Sequence, residues 1–158
     1  MKLFGQFPGG RYLGKEEIKN VTDVLNSRSP YRFSGLNLKM YCNKLEKAMA
    51  KFVNKKYCLT VNSGTAALHC ALQAVEIKRG DEVIVPAYGW SADLMSIIMM
   101  GAVPVIAPVS DDGNLDLEKV KNSITKKTKA LIVIHMRGYP CNFKKIVNIF
   151  KKKKNTNN

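Results

Sequence analysis

The 158 residues are 46% hydrophobic and 24% charged, the profile of a globular α/β protein with enough apolar surface for a sizeable core. The longest apolar stretch, residues 94–109, is broken by Ser96, Gly101, Pro104 and Pro108, and residues 1–7 lack an apolar signal core, so the expectation is a cytoplasmic protein without a membrane span. A net charge of +14 raises the question of nucleic acid, yet the lysines are spread thinly and no aromatic residues alternate with the dense run at 151–154, so neither nucleic acid nor membrane is expected as a partner.

Ile18, Val21, Val24 and Leu25 recur at three- and four-residue spacing and predict a helix ending at Asn26. Residues 27–38, with Pro30, Tyr31, Phe33 and Gly35, read as a loop. Met40, Leu45, Met49 and Phe52 mark one side of a second helix. Residues 57–61 carry a buried-strand pattern, and a helix follows over about 65–75. Arg79-Gly80-Asp81 is a turn, residues 82–85 a short strand ended by Pro86, and a loop with Tyr88, Gly89 and Trp90 leads into a helix that Gly101-Ala102 stops. Residues 103–107 form a third strand, and Asp111-Asp112-Gly113-Asn114 is a turn. Asp116 is then expected to cap a short helix containing Leu117, Val120 and Ile124. Residues 129–134 read as a fourth strand, and a last helix spans about 142–151 before it runs into lysines. The four cysteines, Cys42, Cys58, Cys70 and Cys141, include no C-x-x-C pair, and three lie in apolar patterns, which predicts buried free thiols rather than disulfides or a metal site.

Nearly all-apolar strands alternating with helices indicate a parallel sheet covered on both faces, and in such sheets ligands sit outside the carboxyl ends of the strands. The chemistry-bearing residues fall there: Ser63-Gly64-Thr65, Tyr88 and Trp90, His135 and Arg137. The strand-to-helix junction in YCLTVNSGTAALHCAL is the most informative of them. A helix N-terminus leaves backbone N–H groups without intrahelical partners and carries roughly half a positive charge, so an anion at Gly64, Thr65 and Ala66 is stabilised. Gly64 permits close approach, and the Thr65 hydroxyl adds a donor. The same tripeptide is also compatible with an ordinary turn in which Ser63 merely caps the helix.

The segments GGRYLGKEEI, VNSGTAALHCAL, RGDEVIVPAYGWSADLMSIIMMGAVPV and TKALIVIHMRGYPCN resemble, over residues 10–150, the N-terminal part of the DegT/DnrJ/StrS family of nucleotide-sugar aminotransferases. The resemblance implies the aspartate-aminotransferase fold (fold type I), pyridoxal 5′-phosphate (PLP) as cofactor, and transfer of an amino group from glutamate or glutamine to a keto group on a nucleotide-linked sugar or a cyclitol. It assigns Gly64, Thr65 and Ala66 to the cofactor phosphate and Trp90 to the aromatic position stacked on the pyridine ring, where the residues alone suggest a core tryptophan at a helix start. His135 matches the His-x-x-Gly segment near the cofactor. Met136-Arg137 departs from the Leu-Tyr of many members, which leaves Arg137 without an assigned role. Family members are homodimers with active sites at the subunit interface.

The family's Schiff-base lysine and the acidic residue that pairs with the pyridine nitrogen both belong to a part of the family absent from these 158 residues. No catalytic residue is therefore assigned here, and the chain alone is expected to be inactive. The implied organisation is an N-terminal helix and loop arm at 1–38, a partial PLP-dependent transferase large domain at 39–150, and a lysine- and asparagine-rich truncated tail at 151–158. The family's strand order would separate strand 57–61 from the other three by strands of the missing part, leaving a gap in the sheet and exposed apolar surface. Two further readings accompany this one: a non-catalytic remnant or partner module that retains a phosphate site, and a fragment of a fold-type I sugar dehydratase or lyase.

Overall fold

The computed structural model describes residues 8–156, so the reading of residues 1–7 and the last two residues of the tail lie outside it. The chain divides into two compact units, Met1–Thr60 and Val61–Asn158.

The first unit contains α1 (Lys15–Asn26) and α2 (Tyr41–Phe52), both where the apolar spacing predicts them. The Gly14 N–H donates to Glu17 Oε2 at 2.7 Å, and Glu16 and Glu17 place negative charge in the first turn of α1, where the helix dipole favours it. Neither helix has a buried residue, and Ile18, Val21, Leu25, Leu45 and Phe52 of the two apolar stripes are exposed. Polar contacts hold this unit instead. The Tyr41 hydroxyl donates to Asn20 Oδ1 at 3.1 Å and Asp23 Oδ2 at 3.2 Å, and Lys39 pairs with Asp23 at 3.1 Å. Glu46 Oε1 accepts from the Arg32 guanidinium, from the Thr60 N–H at 2.7 Å and from the Thr60 hydroxyl at 3.0 Å, while Arg32 Nη1 donates to the Thr60 carbonyl at 2.8 Å.

That last cluster accounts for one correction. Residues 57–61 do not form the expected strand: no ladder partner lies beside them among the described residues, and Tyr57 and Leu59 are exposed. A strand exists only when a neighbour takes its backbone groups, and here the side chains of Arg32 and Glu46 take those of Thr60.

The second unit contains α3 (Gly64–Ala74), β1 (Glu82–Pro86), α4 (Ser91–Met99), β2 (Val103–Ala107), β3 (Thr128–Leu131) and α5 (Phe143–Thr156). The strands form a parallel sheet in the order β2-β1-β3, with Ile84 opposite Val105 on one side and Leu131 on the other. Val83 and Val85 pack with Leu72 of α3 and Ile97 of α4. Ile84, pointing the opposite way by the pleat, packs with Val120, Ile124 and Ile149 of α5. The architecture is thus the expected parallel sheet with helices on both faces. Pro104 interrupts the donor row of β2, which is tolerated because β2 lies at an edge.

Three expectations are corrected in this unit. Asp116 does cap, its Oδ1 accepting from the N–H groups of Glu118 at 3.0 Å and Lys119 at 3.1 Å, but only a 3-10 turn, Val120–Ser123, follows. Asn122 and Ser123 are poor helix formers, and β3 begins five residues after that turn. The β3 ladder is shorter than 129–134, with Ile132 N–H donating to Ile84 O as its last bond at 2.9 Å. Finally, α5 does not stop at 151 but continues through Thr156, since lysine is a good helix former and its charge complements the C-terminal dipole.

All four cysteines are free, as expected, but Cys42 and Cys70 are exposed and Cys58 and Cys141 only partly covered, which corrects the expected burial. Among the described residues no helix is long and apolar enough to cross a membrane, and no cluster of metal-ligating side chains occurs.

Ile84 is fully buried at the centre of the sheet. Ile84→Ala is expected to lower the stability of the second unit by about 2–5 kcal/mol, read as a lower urea midpoint. In the first unit, the Thr60 N–H, with Arg32 adding, holds the Glu46 carboxyl below its ordinary range against the opposing effect of desolvation. A carboxyl depressed in the folded state contributes stability above its unfolded pKa, about 4.3, that is lost as pH falls through the folded value. Hydrogen-exchange protection of the Thr60 amide, corrected for intrinsic rate, should therefore decline on acidification below about pH 4, and Glu46→Gln should abolish that pH dependence.

Candidate functional site

The site lies in the second unit, at the edge where the three strands end. Gly89, in the loop after β1, sits close against its neighbours: a Cβ there would stand 2.6 Å from Ile134 Cδ1 and 3.0 Å from Asp93 Oδ2, so the ends of those side chains would have to shift. Gly113, in the loop after β2, has φ +79°, and a Cβ there would stand 3.0 Å from Met136 Cγ and 3.5 Å from Tyr88 Cδ1. The backbone angle at Gly113 favours glycine, and both positions keep the loops in close approach. The loops after β1, β2 and β3 are thereby packed directly on one another.

A polar knot ties the β2 and β3 loops. Asn114, only 5% exposed, accepts on Oδ1 from the Met136 N–H at 3.1 Å and Cys141 Sγ at 3.2 Å, and donates from Nδ2 to Asp112 Oδ2 at 3.1 Å. Asp112 also accepts from the Ser110 hydroxyl at 2.6 Å and the Asn114 N–H at 3.0 Å, contacts that hold its carboxyl below the ordinary range. Cys141 Sγ reaches the Ile134 carbonyl at 2.9 Å, and the Cys141 N–H donates to His135 Nδ1 at 3.1 Å. Desolvation, with the nearby Asp112 charge, pushes the Cys141 thiol above its ordinary pKa. Beside them Arg137, exposed, adopts φ 51° and ψ 28° in the Met136–Gly138 turn, with no hydrogen bond from its guanidinium among the described residues.

Two helix N-termini share this edge. The turn after α3 meets the turn after α4 through Gly80 N–H to Gly101 O at 3.0 Å, and both helices lead into strand starts, so both run antiparallel to the strands and begin at the strands' C-terminal ends. At the start of α3, Ser63 Oγ accepts from the Ala66 N–H at 3.1 Å, and Ala67 N–H donates to Ser63 O at 3.0 Å. The N–H groups of Gly64 and Thr65 have no acceptor among the described residues, and a Cβ on Gly64 would meet nothing within 4 Å. Ser63 therefore does cap the helix and takes the amide of Ala66, while two amides and open space remain for an anion.

Trp90 is the N-cap of α4, its N–H donating to Asp93 Oδ2 at 2.9 Å and its carbonyl accepting from the Asp93 N–H at 3.0 Å. These bonds fix the backbone, and the residue is 78% exposed, so Trp90 is not the core tryptophan the residues alone suggested. His135 is joined to the knot, whereas neither it nor Trp90 is hydrogen-bonded to Gly64, Thr65 or Ala66. Asn114 and Cys141 are the members that sequence reasoning missed. The turn signal Asp-Gly-Asn was visible, but nothing in it shows that Asn114 is buried against a loop 22 residues away.

Comparison with known proteins identifies the family. The profile of the DegT/DnrJ/EryC1/StrS aminotransferase family matches residues 11–155. The chain belongs to that family. It is 38% identical over 107 residues to the GDP-perosamine synthase of Vibrio cholerae, covering 67% of this chain and 29% of the relative. It is 37% identical over 138 residues to the spore coat polysaccharide biosynthesis protein SpsC of Bacillus subtilis, covering 87% and 34%. Among solved structures, the PLP form of Spr1654 from Streptococcus pneumoniae superposes with a TM-score of 0.80 at 30% identity, covering 90% of this chain and 35% of that one. The chain thus spans about a third of the length of these DegT/DnrJ/EryC1/StrS relatives. It carries part of the fold-type I large domain, an incomplete α/β unit.

The thiol of Cys141, within reach of two acceptors and desolvated, should react more slowly than exposed Cys42 and Cys70. Timed iodoacetamide labelling at about pH 8 with peptide mass spectrometry is expected to modify Cys141 after Cys42 and Cys70, by about tenfold in rate for each unit of thiol pKa.

Proposed function

We propose that the second unit holds the phosphate of PLP at the start of α3. Gly64 and Thr65 give backbone N–H groups, the Thr65 hydroxyl gives a further donor, and Ala66 closes the turn beneath them. The observation that carries this reading is the pair of unpartnered amides under open space at a helix N-terminus. Trp90, exposed and rigidly based, stacks on the cofactor ring and fixes its plane, and His135 stands in the loop beside it. The cofactor, when bound, supplies the electron sink that amino-group transfer needs.

In a protein of family length, these residues would serve transfer of an amino group from glutamate or glutamine to a keto group on a nucleotide-linked sugar or a cyclitol, in a cytoplasmic homodimer. The names of the perosamine and spore-coat polysaccharide relatives support a cell-envelope sugar as the product's destination. The 158 residues by themselves would bind without turnover, because none of their lysines matches the position that carries the cofactor in the family.

Trp90 is the single tryptophan, so its fluorescence reports the site directly. Pyridoxamine 5′-phosphate, which lacks the aldehyde that would react with surface lysines, is expected to quench it saturably at concentrations about tenfold below dephosphorylated pyridoxamine, a difference of about 1.4 kcal/mol. Equal quenching by the two compounds would remove the phosphate site. With PLP and glutamate, 2-oxoglutarate should not rise above a protein-free blank; a rise would refute inactivity of the isolated chain.

A further inference from the structure

His135 is flanked by two pinned peptide groups. On one side the Ile134 carbonyl accepts from Cys141 Sγ at 2.9 Å, and on the other the Met136 N–H donates to Asn114 Oδ1 at 3.1 Å. Asn114 and Cys141 meet each other at 3.2 Å, and the Cys141 N–H closes the ring by donating to His135 Nδ1 at 3.1 Å. The orientation of the Asn114 amide follows from its neighbours. Reversed, its NH2 would face two donors, the Met136 N–H and the Cys141 thiol, and its oxygen would face the Asp112 carboxylate. Asp112, itself held by Ser110, therefore sets the direction of Asn114, which sets the position of Cys141.

A ring nitrogen that accepts a hydrogen bond from a backbone N–H carries no proton. We propose that Asn114 is a positioning residue that, through Cys141, selects the tautomer of the His135 imidazole with its proton on Nε2. Of the charged groups beside this arrangement, Asp112 is engaged by Asn114 and Ser110 rather than by the imidazole, and Arg137 makes no hydrogen bond from its guanidinium among the described residues. Locked in this way, the ring has one donor, Nε2–H, and its single acceptor is already used, so His135 can offer a hydrogen bond to an oxygen but cannot take a proton at Nδ1 without breaking the Cys141 contact. Use of that donor toward a cofactor or substrate oxygen rests on the proposed function, whereas the lock itself does not.

The test is long-range proton–nitrogen NMR on the 158-residue chain labelled with nitrogen-15 histidine, at a pH where the imidazole is neutral. The chain has two histidines, so His69→Gln assigns the His135 signals. The expected spectrum shows an unprotonated Nδ1 and a protonated Nε2. Asn114→Ala and Cys141→Ala should each move the tautomer ratio about fivefold toward Nδ1–H, the equivalent of one ordinary hydrogen bond. Cys141→Ser, which keeps a donor for the same two acceptors, should restore the ratio. Amide protection of residues 83–85 serves as the folding control. Were Asn114→Ala to lose that protection, the Cys141 pair would decide. A protonated Nδ1 in the unaltered chain overturns the proposal, as do ratios unchanged in both alanine variants with the core intact. Phosphate-independent quenching of Trp90 with an intact tautomer lock would count against the proposed function alone.

Discussion

The second unit depends on the burial of β1 on both faces. Val83 and Val85 look toward α3 and α4, Ile84 looks toward α5 and the Val120–Ser123 turn, and all three are at most 3% exposed. A strand flanked on both edges by parallel neighbours and covered above and below cannot slip by one residue, because every apolar side chain would exchange faces. That fixed register determines where β1 ends, and therefore where the loop with Tyr88, Gly89 and Trp90 begins. The neighbouring loops inherit their positions from the same ladder, and two glycines let them approach closely.

The two units are held by different physics. The second has a continuous apolar core, whereas the buried residues described in the first are Ser27 and Ser29, and its cohesion comes from charge-assisted hydrogen bonds around Asp23 and Glu46. Partly exposed ion pairs are individually weak, and the apolar stripes of α1 and α2 remain uncovered, so less of the first unit's surface contributes to its stability. The side chains of Arg32 and Glu46 do at Thr60 what a neighbouring strand would do, which keeps its backbone groups satisfied without a sheet.

At the strand ends, open and internally paired polar groups are separated. The start of α3 offers unpaired amides at an exposed surface, the position suited to a ligand that comes and goes. Asn114 and Cys141 lie partly out of solvent while His135 is exposed, and the three spend their mutual hydrogen bonds internally. Trp90 combines both characters, with a backbone bound to Asp93 and an indole free to meet a flat ring.

Helix positions α1 to α4 and strands β1 and β2 were legible in the chain because each is set by local spacing: apolar residues at three and four for the helices, short apolar runs bounded by Pro86 or Gly101 for the strands. The capped turn at the start of α3 was legible for the same reason, since a helix N-terminus after Ser63 is a local feature, and the family resemblance rested on motifs of that kind. Local pattern could not determine whether residues 57–61 acquire a ladder partner, whether the Asp116 segment winds into a full helix, or whether the indole of Trp90 lies inside or out. Each of those depends on what stands across from the residue, and only the folded chain supplies that neighbour. The pairing of Asn114 with Cys141 and Met136 is the clearest instance: its three residues span 27 positions, and nothing short of the closed sheet brings them within hydrogen-bonding distance.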